Sequence, residues 1–347
     1  MNPRQPSWSP VTGNGASSSG WLENLASLKW TLGAILLLVM GSLGLLWWRS
    51  LPPTWVLSLP MGLLVINLVA AMLVSTSLRR QPLLLLFHLA LLALVLLAGA
   101  SRLTYLKGSV ELAMGERFDG TLLTHEEGPW HPEGWRSIRF THEETEVMYG
   151  PGGVRGATRS RMRWWDARGM EHAGVIGDNV PLILAGYRIQ PSLHYSFAPV
   201  FSWWTPDGVL VSRGAVNLPS LQHGPGSSND WTIRGTDIAV LVMLTLAAPL
   251  PDAQRATLFR ADLEHHLTMT IRGEVRHLQP GARWILPEGT LVYERLGTWM
   301  GYTLFYDGTI PWLLSTCLVA IVSLMTHLVL KFSRSSWQLQ GEWHGQS

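Results

Sequence analysis

Residues 82–100 read PLLLLFHLALLALVLLAGA, a stretch without a single charged side chain. At about 1.5 Å of rise per helical residue, a stretch of this length covers a hydrocarbon core about 30 Å thick. Two similar uncharged stretches precede it, at 30–48 and 55–78, and a fourth, at 309–332, is uncharged as far as Leu330. The sequence therefore predicts four transmembrane helices, three near the N-terminus and one near the C-terminus.

The composition of the chain is uneven along its length. Only 14% of the 347 residues are charged, whereas soluble domains average about 25%. Most of these charges fall in residues 102–308, whose composition is that of a soluble domain. Turn residues such as Pro206-Asp207-Gly208 between apolar runs, and the alternation over 265–278, are typical of strands. The run 238–250 is apolar but too short to span, so we expect it inside the soluble core. We predict an integral membrane α-helical protein with a β-rich extracytoplasmic domain over 102–308.

Basic residues near the spans predict the orientation, because cytoplasmic loops are enriched in Lys and Arg. If the spans alternate, six basic residues lie on one side: Arg4, Lys29, Arg79, Arg80, Lys331 and Arg334. Three lie on the other: Arg49, Arg102 and Lys107. We therefore expect a multi-pass protein of the bacterial inner membrane, with both termini cytoplasmic and residues 102–308 in the periplasm. The Ser-, Gly- and Pro-rich start predicts a disordered cytoplasmic tail over 1–28, and residues 333–347 form a second cytoplasmic tail.

Several classes of function are excluded by residue counts. A single cysteine leaves no disulfide framework, no Cys-rich zinc site and no Cys-x-x-Cys-His attachment site for haem within this chain. A net charge of +2 gives no reason to expect nucleic acid as a partner. His125, His131 and His142 lie among glutamates without the spacing of a zinc site, so we expect solvated loop histidines. No catalytic constellation is present, and we predict that the chain is not an enzyme.

Two histidines inside the spans are the most informative residues. His88 follows Arg80 by eight residues and His327 precedes Lys331 by four, which places them roughly 12 Å and 6 Å below these charges. An ionisable side chain inside a membrane is a functional candidate by default. Two neutral imidazoles at similar depth could ligate one haem iron. The alternative is that each forms a hydrogen bond across a helix interface, the role we expect for Asn67.

A basic stretch follows in the soluble region. On a strand, Arg159, Arg161 and Arg163 share one face, with Met162 and Trp164 on the other. We expect this strand to face solvent or lipid headgroups. Docking of an acidic partner or of a haem propionate is the alternative.

Four stretches of the sequence, together with the layout of three spans, an external domain and one span, resemble a known family. They are Phe87-His88-Leu89 through Arg102-Leu103, Tyr105-Leu106-Lys107-Gly108 with Gly115-Glu116, Leu296–Leu314, and Thr326-His327 with Lys331 and Trp337. They are similar to the ResB family of system II cytochrome c biogenesis. The family's Asp-Pro-Gly before the last span is reduced here to Asp307-Gly308. The chain resembles a short and divergent member.

The resemblance implies a function and partners. ResB proteins pair with a ResC/CcsA-type protein that carries a tryptophan-rich haem-handling motif, and the pair delivers haem to apocytochrome c. Non-covalent haem b would be held by His88 and His327, with Asp307 as a further functional candidate. Thiol-reducing partners would supply the thiol chemistry, and the lipid bilayer surrounds the spans. The alternatives are a membrane-anchored scaffold that docks apocytochrome or assembly factors without haem, and a b-type electron carrier.

Overall fold

The computed structural model describes residues 20–48, 53–166, 168–221 and 227–343. It divides the chain into two compact units, of which one, the helical unit, comprises the segments before Thr104 and after Asp307. The other, the β unit, is Thr104–Asp307.

The helical unit contains four helices that are long and apolar enough to cross a membrane. These stretches are Leu28–Trp47, Trp55–Val74, Pro82–Thr104 and Ile310–Ser333. The full helices are α1 Gly20–Leu25, α2 Leu28–Trp47, α3 Pro53–Val74, α4 Thr76–Arg79, α5 Pro82–Thr104 and α6 Ile310–Trp343. The prediction of four apolar helices, three before the β-rich region and one after it, is confirmed.

Helix ends differ from the predicted spans where polar side chains bind the backbone. The predicted second span, 55–78, is interrupted at Ser75, whose hydroxyl accepts a hydrogen bond from the Leu78 N–H at 3.2 Å and starts the short helix α4. This cap satisfies a backbone N–H in the first turn of α4, which has no carbonyl partner within that helix. At the C-terminus, α6 continues beyond the predicted fourth span, through most of the predicted tail, to Trp343.

Asn67 joins the start of the helical unit to α3. Its side-chain oxygen accepts a hydrogen bond from the Thr31 hydroxyl at 2.6 Å, and its amide nitrogen donates to the carbonyls of Leu25 and Ser27 at 2.5 and 3.1 Å. These bonds confirm the predicted role of Asn67 between helices. They also hold the end of α1, so residues 20–25, which we expected within a disordered tail, are helical. Residues 1–19 of that tail lie outside the described residues.

The β unit consists of seventeen described strands in four antiparallel sheets. The strands are β1 Leu106–Ala113, β2 Thr124–Glu127, β3 Phe140–Tyr149, β4 Arg155–Trp165, β5 Glu171–Gly177, β6 Leu182–Leu184, β7 Tyr187–Phe197, β8 Val200–Trp204, β9 Leu210–Ala215, β10 Ser227–Thr232, β11 Ala239–Leu246, β12 Thr257–Phe259, β13 His265–Ile271, β14 Glu274–Leu278, β15 Arg283–Leu286, β16 Gly289–Arg295 and β17 Thr298–Tyr306. Their orders are β2-β1-β17-β7-β6, β10-β11-β13-β14, β12-β3-β4-β5 and β15-β16-β8-β9.

The strand pairings follow the turn chemistry of the sequence. The Pro206-Asp207-Gly208 signal joins β8 to β9 as an antiparallel hairpin. The alternating stretch 265–278 is two strands, β13 and β14, because Arg272 and Gly273 both adopt positive φ, at 51° and 85°, and turn the chain. Positive φ at both central residues is the geometry of a two-residue hairpin turn that matches strand twist.

One hydrophobic core runs through the β unit and takes side chains from all four sheets. The largest buried side chains are aromatic, among them Trp284, Tyr187, Tyr293 and Tyr302. The apolar run 238–250 contributes β11, of which only alternate residues enter this core: Val242 is buried while Leu241 and Met243 are exposed.

The first and last strands of the β unit are neighbours. β1 begins two residues after α5 ends, β17 ends four residues before α6 begins, and the two strands pair along their length from Leu106↔Tyr306 to Ala113↔Trp299. The chain therefore enters and leaves the β unit through one antiparallel ribbon.

Candidate functional site

His88 lies on α5, half-buried among apolar side chains. Its Nδ1 is 2.7 Å from the carbonyl oxygen of Leu84, one helical turn earlier. A carbonyl can only accept, so Nδ1 carries the proton and donates, and Nε2 of the neutral ring keeps its lone pair. The ring of Phe87 contacts the imidazole edge-on, with ring centroids 5.3 Å apart. This is the state in which histidine binds a metal, with one nitrogen oriented by a backbone carbonyl and the other available.

His327 lies on the protein-facing side of α6. Among the described part of this helix, the least exposed positions recur every three or four residues and include Ala320 and Ser323, which are buried. His327 follows Ser323 by four residues, so it continues the same face. Within the described residues its imidazole has no hydrogen-bond partner, which leaves both ring nitrogens available to a ligand.

Asp307 lies in the turn between β17 and α6 and is half-buried. It is the last residue of the β unit, whereas both histidines belong to the helical unit. Its position alone assigns it no chemical role.

The two histidines are not brought together by close packing of their helices. In the described part of the helical unit, α2 and α3 pack closely along their length, whereas α5 and α6 form no extended close contact. Ligation of one haem by both imidazoles therefore stays a prediction. Each ring separately has the chemistry of an axial ligand, and His88 has the second hydrogen bond that orients such a ligand.

The β unit contains a buried histidine that the sequence did not reveal. His142, expected in a solvated loop, is fully buried on β3, where its Nδ1 is 2.7 Å from the Tyr302 hydroxyl. Ser160 bonds the same hydroxyl at 2.5 Å. Burial lowers the pKa of His142 to about 3 and raises that of Tyr302, so both are neutral at physiological pH. Charging the imidazole inside the core is costly, so the fold is stable with this group only while the ring is neutral.

Two further histidines each bond a tyrosine hydroxyl. His131 Nε2 is 2.8 Å from the Tyr187 hydroxyl, and His265 Nε2 is 2.6 Å from that of Tyr293. In both, Nδ1 donates to a backbone carbonyl at 2.7 Å. These rings have both nitrogens occupied, so they are structural, and the expectation of a solvated loop is wrong for His131. No group of three or more His, Cys, Asp or Glu side chains suited to a metal occurs among the described residues.

The basic strand is β4, and its arginines lie on the face that the sequence predicted. Arg159 and Arg161 are exposed while Met162 is buried. Arg163 forms hydrogen bonds with Glu143, and these bonds raise the pKa of the guanidinium. Ion pairs to carboxylates of neighbouring strands therefore neutralise part of this face, which weakens the case for a propionate or acidic partner here.

No protein-family model and no curated protein matches this chain. The resemblance to ResB proteins thus rests on the residues quoted for it.

Proposed function

We propose that this chain is a ResB-like membrane subunit of a cytochrome c assembly complex, which holds or passes haem b to a tryptophan-rich ResC/CcsA-type partner for attachment to apocytochrome c. The observation that supports the proposal most is the presence of His88 and His327 within the stretches 82–100 and 309–330, which contain no charged side chain and belong to two of the four long apolar helices. An ionisable side chain in such a setting is a functional candidate by default.

The chain's own residues would bind and orient the group. Leu84 fixes the tautomer of His88 and points its Nε2 lone pair away from the helix backbone. His327 offers a second imidazole on the protein-facing side of α6. When bound, haem supplies the iron and the vinyl groups that react with cysteine thiols of the apocytochrome; this chain supplies no thiol for that step, since its one cysteine, Cys317, lies in α6.

The test is the haem content of the purified complex. We would purify the full chain with its tryptophan-rich partner and record visible spectra for the wild type, His88→Ala and His327→Ala. Leu89→Ala and Thr326→Ala are matched controls, since each lies beside a histidine and leaves it in place; Leu89 is an exposed neighbour of His88. We expect the histidine variants to lose haem or shift its spectrum, and the controls to retain it.

Other outcomes identify the alternatives. Haem that is unaffected by both histidine substitutions would refute the ligand assignment. No haem in any preparation, with both variants still supporting cytochrome assembly, would indicate the scaffold. A haem that cycles reversibly with a quinone in a redox titration would indicate the electron carrier.

The proposal includes a location. We place the four helices across the bacterial inner membrane, with both termini in the cytoplasm and the β unit in the periplasm, on the excess of basic residues beside the cytoplasmic ends. A fluorescent protein that folds only in the cytoplasm, fused after Ser347, should fluoresce. The same protein inserted in the Pro206-Asp207-Gly208 turn should not.

A further inference from the structure

One end of the β unit contains the residues through which the chain enters and leaves this unit. β1 begins at Leu106, two residues after α5 ends at Thr104, and its partner β17 ends at Tyr306. An extended residue covers at most about 3.6 Å, so Leu106 lies within about 7 Å of the end of α5. If α5 crosses a membrane, this end of the β unit, which we call the entry end, lies close to the surface of the bilayer.

A loop with an exposed tryptophan is fixed to the entry end by two hydrogen bonds. The Gly128 N–H donates to the Tyr105 carbonyl at 2.9 Å, and the His131 Nδ1 donates to the Thr104 carbonyl at 2.7 Å. Trp130 lies between these two anchors, and its side chain is 71% exposed. Tryptophan is enriched at membrane–water interfaces, because its ring is apolar while its N–H needs a polar partner.

A second uncharged loop lies at the same end, between β6 and β7. Ala185 and Gly186 form its turn, with positive φ of 50° and 83°, and both residues are exposed. A Cβ on Gly186 would lie 3.1 Å from the ring of Tyr306, so the turn packs against the last residue of β17. Ile183, which precedes the turn, is 64% exposed. Together with Trp130, this loop gives the entry end an exposed apolar surface.

A row of side chains crosses the outer face of the sheet beside the entry end. Its members are direct cross-strand partners on β1, β17, β7 and β6, namely Lys107, Phe305, Arg188 and Ile183. Such a row runs perpendicular to the strands, so its members lie at one level above the strand ends. Lys107 lies opposite Glu126 of β2. Arg188 is exposed and forms no ion pair within the described residues, so its guanidinium is available to an anion.

The apolar loops and the cation complement the surface of a bilayer. Binding to such a surface becomes stronger with the apolar area that is buried among the headgroups and with the attraction of cations to anionic lipids. A guanidinium binds a phosphate through two parallel hydrogen bonds. The carboxylates of Glu126 and Glu127 lie on β2, at the opposite edge of the sheet from β6. Attraction to lipid phosphates is therefore strongest beside β7 and β6.

We propose that the entry end of the β unit docks on the headgroup layer of the bilayer, with Trp130 and the turn at Ala185 among the headgroups and Arg188 on a lipid phosphate. This contact would hold the β unit in one orientation on the membrane. The inference rests on the proposed membrane crossing of α5 and not on haem. The fluorescent-protein fusions test that crossing separately, so a failure of docking is distinguishable from a failure of the proposed location.

The test measures which quenchers reach fluorescent labels on the full chain in nanodiscs of phosphatidylethanolamine and phosphatidylglycerol. Trp130→Cys and Ala185→Cys, each combined with Cys317→Ala, provide one cysteine for a nitrobenzoxadiazole label. Val209→Cys in the same background is the matched control. Val209 is 61% exposed and follows β8, beyond the end of β7 that lies away from the entry end. Iodide quenches from the water, whereas a lipid with a spin label beside its headgroup quenches from the bilayer.

We expect iodide to quench the labels at positions 130 and 185 at least about threefold less than the label at position 209, and the spin-labelled lipid to quench only the first two. Arg188→Gln should increase iodide quenching at position 185. Arg283→Gln, which changes an exposed arginine of β15, should leave it unchanged. Equal iodide quenching at all three positions would overturn the docking. Unchanged quenching in Arg188→Gln would overturn the contact with phosphate.

Discussion

Acid should destabilise the β unit through His142 in particular. Its pKa is about 3 in the folded protein, against an ordinary value of 6.5. As pH falls below 6.5, the unfolded chain takes up a proton that the folded one refuses, so the stabilisation is complete above 6.5 and is lost towards pH 3. One pKa unit corresponds to about 1.4 kcal/mol, so acidification from pH 6.5 to 4.5 costs about 2.5 kcal/mol through this residue alone.

The measurement is the free energy of unfolding of the full chain in detergent, from urea titrations followed by tryptophan fluorescence at several pH values. His142→Gln is the informative variant, because Gln can still bond the Tyr302 hydroxyl but does not titrate. His277→Gln is the matched control, since His277 lies on the exposed strand β14. The carboxylates are the same in all three proteins. The effect of His142 is therefore the difference in the pH dependence of the free energy of unfolding between the wild type and His142→Gln.

We expect His142→Gln to lose about 2.5 kcal/mol less than the wild type between pH 6.5 and 4.5, and His277→Gln to follow the wild type. Parallel curves for the wild type and His142→Gln would show that the buried ring is not the acid-sensitive group. In that case the His142 side chain is either not buried or not neutral in the folded protein.

Two further substitutions test the packing of each unit. Asn67→Leu removes the hydrogen bonds to Thr31 and to two backbone carbonyls. We expect it to lower the stability of the helical unit by about 1–2 kcal/mol in a detergent unfolding assay. An unchanged stability would mean that these hydrogen bonds contribute nothing. Gly301→Ala places a Cβ 2.5 Å from the Ser192 hydroxyl at a bulge of β7. We expect this substitution to lower the free energy of unfolding in urea by about 1–3 kcal/mol. An unchanged free energy would show that the backbone at the bulge shifts to accommodate the methyl group.

The spans could be predicted because hydrocarbon excludes charge over a whole helix length, a signal that each stretch carries by itself. Their ends could not, because a cap depends on one side chain. Ser75 looks unremarkable in an apolar stretch, yet its hydroxyl ends one helix and begins the next. The apolar character of a stretch is an average over many residues, so it contains no information about a single hydrogen bond.

His142 was missed for a different reason. Phe140 and His142 face the core, but the register shifts between His142 and Glu144, after which Thr145 and Val147 face it instead. A bulge inserts one residue and changes which alternate positions point inward. The strand therefore has no constant period of two, and its alternation cannot be recognised from the sequence.

The histidines of the helical unit were found from the sequence because an imidazole is rare among apolar residues. The position of one histidine relative to the other could not be predicted. Each helix has its own pattern of apolar residues, whereas the contact between two helices depends on the patterns of both helices. The hydrogen bond from His88 to Leu84 belongs to one helix and is local. Any arrangement that joins His88 to His327 is a property of the assembled spans.

Because β1 pairs with β17, the whole β unit can be exchanged for another domain between α5 and α6. Because Leu106 lies opposite Tyr306, the two points where the chain crosses into this unit are one strand spacing apart. A domain whose ends are adjacent can be inserted into or removed from a connecting segment without moving what it connects. Evolution could thus have added, enlarged or exchanged the whole unit between α5 and α6 in one event. Homologues of this chain should vary most in the size of that insertion, and a short hairpin in its place should still let the helices assemble.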